Sequence, residues 1–305
     1  MKKRKKMIIP AAVLTGVTVG GGLHLLNISQ PLTHQSNIVS AYTSPTNQQE
    51  PATAPDSYQI NFTDINLKQA LNKALRNQLN DPSRPLGSEI TVGEAKRITS
   101  FVDERTLENS NITNLEGLQY FVNLVSANIS ENNIADLAPI ADLPKLQYLN
   151  LGENQNITSV EPLARIPKLK KLQFGMNKVT DFSALAAAPM LEELELNSTV
   201  GGALNMSSLS GLTKLKSLNL NGNNLKSDSF GPIKNLPQLS KITIGGNSVV
   251  DLQEMLKDGF NNLGSGTQFN NQHYAHKKLA LNQTLFPNPL KTPDGKVVPV
   301  NETAK

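Results

Sequence analysis

Two short clusters in the chain hold residue types that do chemistry. His273-Tyr274-Ala275-His276 places two imidazoles three residues apart. A zinc site needs at least a third protein ligand, and its histidines are usually oriented by a carboxylate. The flanking residues are Lys277 and Lys278, which repel a cation, so the pair reads as an exposed terminal strand or loop. Glu192, Glu193 and Glu195 form a carboxylate cluster of the kind glycoside hydrolysis uses. On a strand, Glu193 and Glu195 share one face while Glu192 points to the other, and nothing nearby suggests a pocket. The chain has no Cys, so it has no thiolate metal site and no disulfide framework. No G-x-S-x-G, phosphate loop or Ser/His/Asp constellation is present. Asn-x-Ser/Thr triplets begin at Asn111, Asn128, Asn156 and Asn197, and these read as repeat residues rather than glycosylation sites. The expectation is no catalytic residue, no cofactor and no metal.

The polar residue type that does recur in order is asparagine. Asn132, Asn154, Asn177, Asn223 and Asn247 each close a frame L-x-x-L-x-L-x-x-N, and Thr199 closes a sixth. The frames open at Leu124, Leu146, Leu169, Leu191, Leu215 and Leu239, advancing by 22, 23, 22, 24 and 24 residues. A fixed period in this range marks a solenoid. The x-L-x-L-x core alternates at period two, so its apolar residues point inward from a short strand. The chain must then turn sharply. An Asn amide carries donors and an acceptor, and so can satisfy backbone groups bared at that turn. Stacking the repeats lines these Asn residues into a ladder. The second half of each unit, such as Ile134–Ile140 or Ile157–Leu163, has apolar residues every third position, which suits a 3₁₀ return. Pro139, Pro162 and Pro232 are tolerated there because no sheet hydrogen bond needs their N–H. The fold class is therefore a leucine-rich-repeat solenoid, with parallel β-strands on the concave face, 3₁₀ or irregular turns on the convex face and an N-terminal α-helical cap. Thr199, followed by Val200-Gly201-Gly202, predicts a local bulge and a perturbed ladder.

The cap is read from residues 58–110, which also hold a degenerate first repeat. Leu67, Ala70, Leu71, Ala74, Leu75 and Leu79 form one helical face. Asp64 or Asn66 can cap its start, and Pro82 and Pro85 end it. Thr91-Val92-Gly93-Glu94 fits a capping box, and Ala95, Ile98, Phe101 and Val102 continue as an apolar stripe of a second helix. The repeats proper occupy 111–272. Ahead of the cap, residues 42–57 are rich in Pro, Thr and Gln and read as a flexible spacer.

Residues 1–41 read as an export signal. Lys2, Lys3, Arg4, Lys5 and Lys6 precede an uncharged apolar stretch from Met7 to Ile28, and Val39-Ser40-Ala41 offers a cleavage site. The alternative is an uncleaved anchor, which would be the only membrane contact. Those five cations account for the basic balance: the chain holds 29 Lys and Arg against 25 Asp and Glu, so the rest is nearly neutral. A nucleic-acid partner is not expected of such a body.

These features together resemble the internalins of Gram-positive bacteria. The resemblance rests on the 22-residue period, the Asp136–Ile140 variant of the return, the Asn114–Leu118 opening and the helical cap, and covers roughly residues 58–300. The segment 273–305, with Thr292-Pro293-Asp294-Gly295, resembles the start of an immunoglobulin-like domain. The resemblance implies a secreted or cell-surface monomer that binds a protein on its concave face, as an adhesin or effector. No L-P-x-T-G sorting motif is present. The chain thus reads as a freely secreted short protein or as a piece of a larger wall-anchored adhesin, and an envelope scaffold is the further alternative.

On the strand face, alternation turns outward Ser126, Asn128 and Ser130 and their equivalents in later repeats. The candidate contact residues are Tyr148, Asn150, Lys171, Gln173, Glu193, Glu195, Asn219 and Lys241. Their charges alternate along the stack, so they can also pair with one another.

Overall fold

The computed structural model of the 305-residue chain describes residues 53–102, 107–200, 202–257, 259–260, 262–264 and 267–269. The expected export segment, most of the spacer, and the 273–305 segment with His273 and His276 lie outside the described residues. Among those described, no helix is long and apolar enough to cross a membrane.

The cap begins with α1, Ile65–Gln78. Asp64 is its N-cap: one carboxylate oxygen accepts the N–H groups of Asn66 at 2.8 Å and Leu67 at 3.0 Å. The helix buries Leu67, Ala70, Leu71, Ala74 and Leu75. A second helical turn, α2 at Val92–Ala95, carries the capping box, with the Glu94 N–H donating to Thr91 Oγ1 and the Thr91 N–H to Glu94 Oε2. This helix stops after four residues. The stripe expected to extend it through Phe101 instead crosses into β1, Ser100–Phe101, the first strand of the sheet. Backbone pairing of Ser100 with Ser126 and of Phe101 with Ala127 outweighs a weak helical period. Arg84, only 7 % exposed, knits the cap together by donating to Glu94, Asn72 and the Glu89 carbonyl.

Six more strands follow: β2 Ser126–Asn128, β3 Tyr148–Asn150, β4 Lys171–Gln173, β5 Glu193–Glu195, β6 Ser217–Asn219 and β7 Lys241–Thr243. All are parallel and stack in chain order, each pairing with its sequence neighbours, and Thr243 in β7 bridges on to Gln268. The middle residue of each points inward and is buried: Ala127, Leu149, Leu172, Leu194, Leu218 and Ile242. The return segments are short 3₁₀ turns at Ala138–Ile140, Ser183–Ala187, Met206–Leu209 and Ser227–Ile233. One return, α3 at Glu161–Ala164, closes as a single α-turn instead, and α4 spans Leu252–Leu256. Several returns start with a side-chain turn: Asp136 accepts the Ala138 N–H, Ser159 the Glu161 N–H and Asp181 the Ser183 N–H. One apolar core runs unbroken from Ala54 to Leu263.

The asparagines join successive repeats. Asn154 is fully buried; its amide donates to the carbonyls of Ile129, Leu151 and Gly152, and its Oδ1 accepts the Ile134 N–H. Asn177 repeats this with Leu151, Phe174 and Gly175, and accepts the Asn154 N–H at 2.8 Å. Asn132, Asn223 and Asn247 make the corresponding bonds at their own rungs, within the repeat and back to the preceding one. Thr199 does not reach as far: its hydroxyl donates within its own repeat, to the Leu196 carbonyl at 3.3 Å. The bond that Asn154 and Asn177 send back to the preceding repeat is missing at this rung, where the Phe174 carbonyl would accept it. Thr199→Asn is expected to restore it and raise stability by about 1 kcal/mol. A urea titration checks this, and an unchanged or lowered midpoint would show that the rung is too wide to bridge.

The residue before each ladder position lies in the left-handed region. Glu131, Glu153, Met176 and Ser198 have φ of 57°, 59°, 58° and 55°, and Gly222 and Gly246 occupy the same slot at 67° and 66°. Each side-chain-bearing residue there costs about 1–2 kcal/mol that glycine avoids. The row is continuous, because each N–H donates to the next repeat: Glu131 to Gly152, Glu153 to Gly175, Met176 to Asn197, Ser198 to Asn221 and Gly222 to Gly245.

Candidate functional site

Strand register sets two outward rows. One runs Tyr148, Lys171, Glu193, Ser217, Lys241, and the other Asn150, Gln173, Glu195, Asn219, Thr243. Adjacent members of a row are adjacent strands, about 4.8 Å apart, so long polar side chains in neighbouring repeats meet.

They meet in one connected array. Lys171 Nζ lies 3.4 Å from Glu193 and 3.2 Å from Glu195. Gln173 Nε2 donates to the other Glu195 oxygen at 2.9 Å, and the Tyr148 hydroxyl donates to Gln173 Oε1. Of the eight candidate residues, this brings together Tyr148, Lys171, Gln173, Glu193 and Glu195. Asn150 and Asn219 lie in the second row, where Oδ1 of each accepts an N–H two residues on, from Gly152 and Asn221. Their side chains are thereby pinned to their own turns. Lys241 is exposed at the far end of the first row and reaches no acid among the described residues.

The electrostatics follow from the contacts. Burial disfavours the Lys171 cation, but Glu195 and Glu193 outweigh it and hold its pKa above the ordinary lysine value. Burial also raises the Tyr148 pKa; Lys171 opposes this, while Glu195 and Glu108 add to it. Tyr148 is therefore a neutral donor at physiological pH. The ion pairs are partly solvated, so each contributes at most about 1 kcal/mol. Their main effect is positional: they hold side chains in one arrangement.

Not every outward position is free. Ser130, expected on the face, is buried at 7 % exposure and donates to Asn128 Oδ1. Asn128 in turn donates to Glu108 at 2.9 Å. Glu108 is a neighbour that the repeat frame does not mark, because it lies in the irregular first unit. Glu192 points off the face and pairs with Lys216 at 3.0 Å. The three carboxylates thus divide between two lysines rather than converging on one space. Among the described residues no group of three His, Asp or Glu could hold a metal ion.

Residues 122–165 and 144–187 match the family model for leucine rich repeats in two copies. Among solved structures, an internalin C2 from Listeria monocytogenes is 25 % identical over 67 % of this chain and 96 % of its own, with a TM-score of 0.45. An internalin from the same organism, internalin F, is 22 % identical over 67 % of this chain and 78 % of its own, with a TM-score of 0.37. No curated protein matches the chain. With its repeat frame matched by that family model over residues 122–187 and its seven strands stacked in the register the frame dictates, the chain has the leucine-rich-repeat solenoid fold.

Proposed function

We propose that this chain is an exported protein-binding module, an adhesin or effector that contacts a host or neighbouring-cell protein through its strand face. The observation that carries the reading is the connected array from Tyr148 through Gln173 and Glu195 to Lys171 and Glu193. A surface already held in one arrangement loses little side-chain entropy when a partner docks. Tyr148 supplies the one aromatic side chain on the face, the type that interface hot spots favour. Two carboxylates share one lysine, so the trio is net negative and suits a partner that offers cations or N–H donors. The module is monomeric, with the cap in 58–110 and the repeats in 111–272, and needs no cofactor or metal. Export through residues 1–41 places it outside the cytoplasm, either released or at the cell surface.

The test is binding of the purified chain to host and neighbouring bacterial cells. Tyr148→Ala combined with Lys171→Glu is expected to weaken binding by about tenfold or more. Unchanged binding would remove the strand face from the interface. A second reading, an anchored scaffold of the cell envelope, is favoured by the uncharged stretch from Met7 to Ile28, which matches the roughly 20 apolar residues needed to span a bilayer. N-terminal sequencing separates the two. A mature start at Tyr42 supports release, and recovery only from membranes with Met1 retained supports anchoring.

A further inference from the structure

The rim where the strands end carries side chains that the backbone disfavours. Glu131, Glu153, Met176 and Ser198 follow one another in the left-handed slot, and the next two repeats fill it with Gly222 and Gly246. Glycine therefore fits this slot without disturbing the stack, yet four consecutive repeats keep a side chain there. Local strain that a simple substitution would remove points to a use for the side chain.

A second observation falls on the same rim. Met176 is 39 % exposed and Val200 51 % exposed, two of the few large apolar residues so open to solvent. The Val200 N–H donates to the Asn177 carbonyl at 2.8 Å, which seats Val200 against the residue that follows Met176. On the cap side of this apolar pair stand exposed Glu131 and Glu153, and exposed Lys178 flanks Met176 on the outer row.

We infer that this rim is a docking surface for a protein segment that sets an apolar side chain on Met176 and Val200 and a basic one against Glu153. Charge complementarity fixes the direction in which the segment lies. Its cation is drawn toward Glu153 and repelled by Lys178, so the basic residue faces the cap and the apolar one faces Val200. The inference rests on the protein-binding reading but uses residues distinct from the strand-face array, so the rim and the face can be tested apart.

The experiment is selection of a displayed random peptide library on the full chain. Recovered peptides are expected to pair Lys or Arg with a nearby apolar residue. Their capture is expected to fall about tenfold or more on Glu153→Gln/Met176→Ser and to hold within about twofold on Tyr148→Ala/Lys171→Glu. Glu153→Gly is the second variant: it is expected to raise the melting temperature by about 2–4 °C while weakening capture. Peptides lost on the strand-face variant but kept on the rim variant would overturn the rim and leave the strand face standing. No enrichment, peptides indifferent to both variants, or no thermal gain from Glu153→Gly would each overturn the rim as a docking surface.

Discussion

Replacing Asp64 with Ala is expected to destabilise the cap by about 3–5 kcal/mol. The side chain does two jobs at once. One oxygen caps α1 through Asn66 and Leu67. The other accepts the Thr113 N–H at 2.7 Å, the Thr113 hydroxyl at 2.8 Å and the Asn114 N–H at 3.1 Å. Asp64 is only 7 % exposed, so its removal leaves donors bare where water does not readily replace it. Burial by itself would raise the carboxyl pKa, but the bonds from Thr113, Leu67 and Asn114 outweigh it and hold the pKa below the ordinary value. The sign of the pH dependence follows. With the folded value below the unfolded one, the stabilisation is fully present above the unfolded pKa of about 3.9. It is lost as pH falls from there through the folded value. The wild type is therefore expected to lose cap stability on acidification below about pH 4, and Asp64→Asn to lose less over the same range. Urea titrations at two pH values measure both. A loss under about 1 kcal/mol for the Ala variant would show that water or a neighbour replaces the carboxylate.

Asn154→Ala is the second large effect, at about 3–4 kcal/mol. The residue is buried completely and donates to three carbonyls on two repeats while accepting the Ile134 N–H. Alanine leaves those backbone groups unpaired in the interior, and the asymmetry of hydrogen-bond energetics makes this costlier than losing the bonds alone. Asn154 also donates its own N–H to Asn177, so the damage should reach the next rung. Hydrogen exchange at the amides of Ile134 and Asn154 is the local check. If both stay as protected as in the wild type, the ladder is not what holds these turns.

Much of this architecture could be read before the structure. Six frames at one period specify which residues point inward, and alternation alone turns Leu149, Leu172 and Leu194 to the core. The donor and acceptor count of Asn explains why that residue type recurs, although not which carbonyls it reaches; those lie up to 27 residues away in sequence. The first strand was harder to see. Phe101 sits in a run that fits a helix equally well, and only its pairing with Ala127 decides the matter. The left-handed slot was invisible for a similar reason. Glu, Met and Ser carry no turn signature, and glycine marks the slot in only two of six repeats. Within the candidate site, the row order of Tyr148, Lys171 and Glu193 follows from the frame. The role of Gln173 as the link between Tyr148 and Glu195 depends on rotamers that spacing does not encode.

Gln78, the last residue of α1, has a bearing on the molecule as a physical object. Its amide donates to the Ser100 carbonyl at 2.7 Å, in the place where another strand's backbone would pair with β1. A parallel sheet left open at its first strand is a template for further chains. Here a side chain fills that template, held by the helix that carries it. At this end of the solenoid the first strand thus spends a backbone acceptor on its own cap, where it would otherwise be offered to another chain.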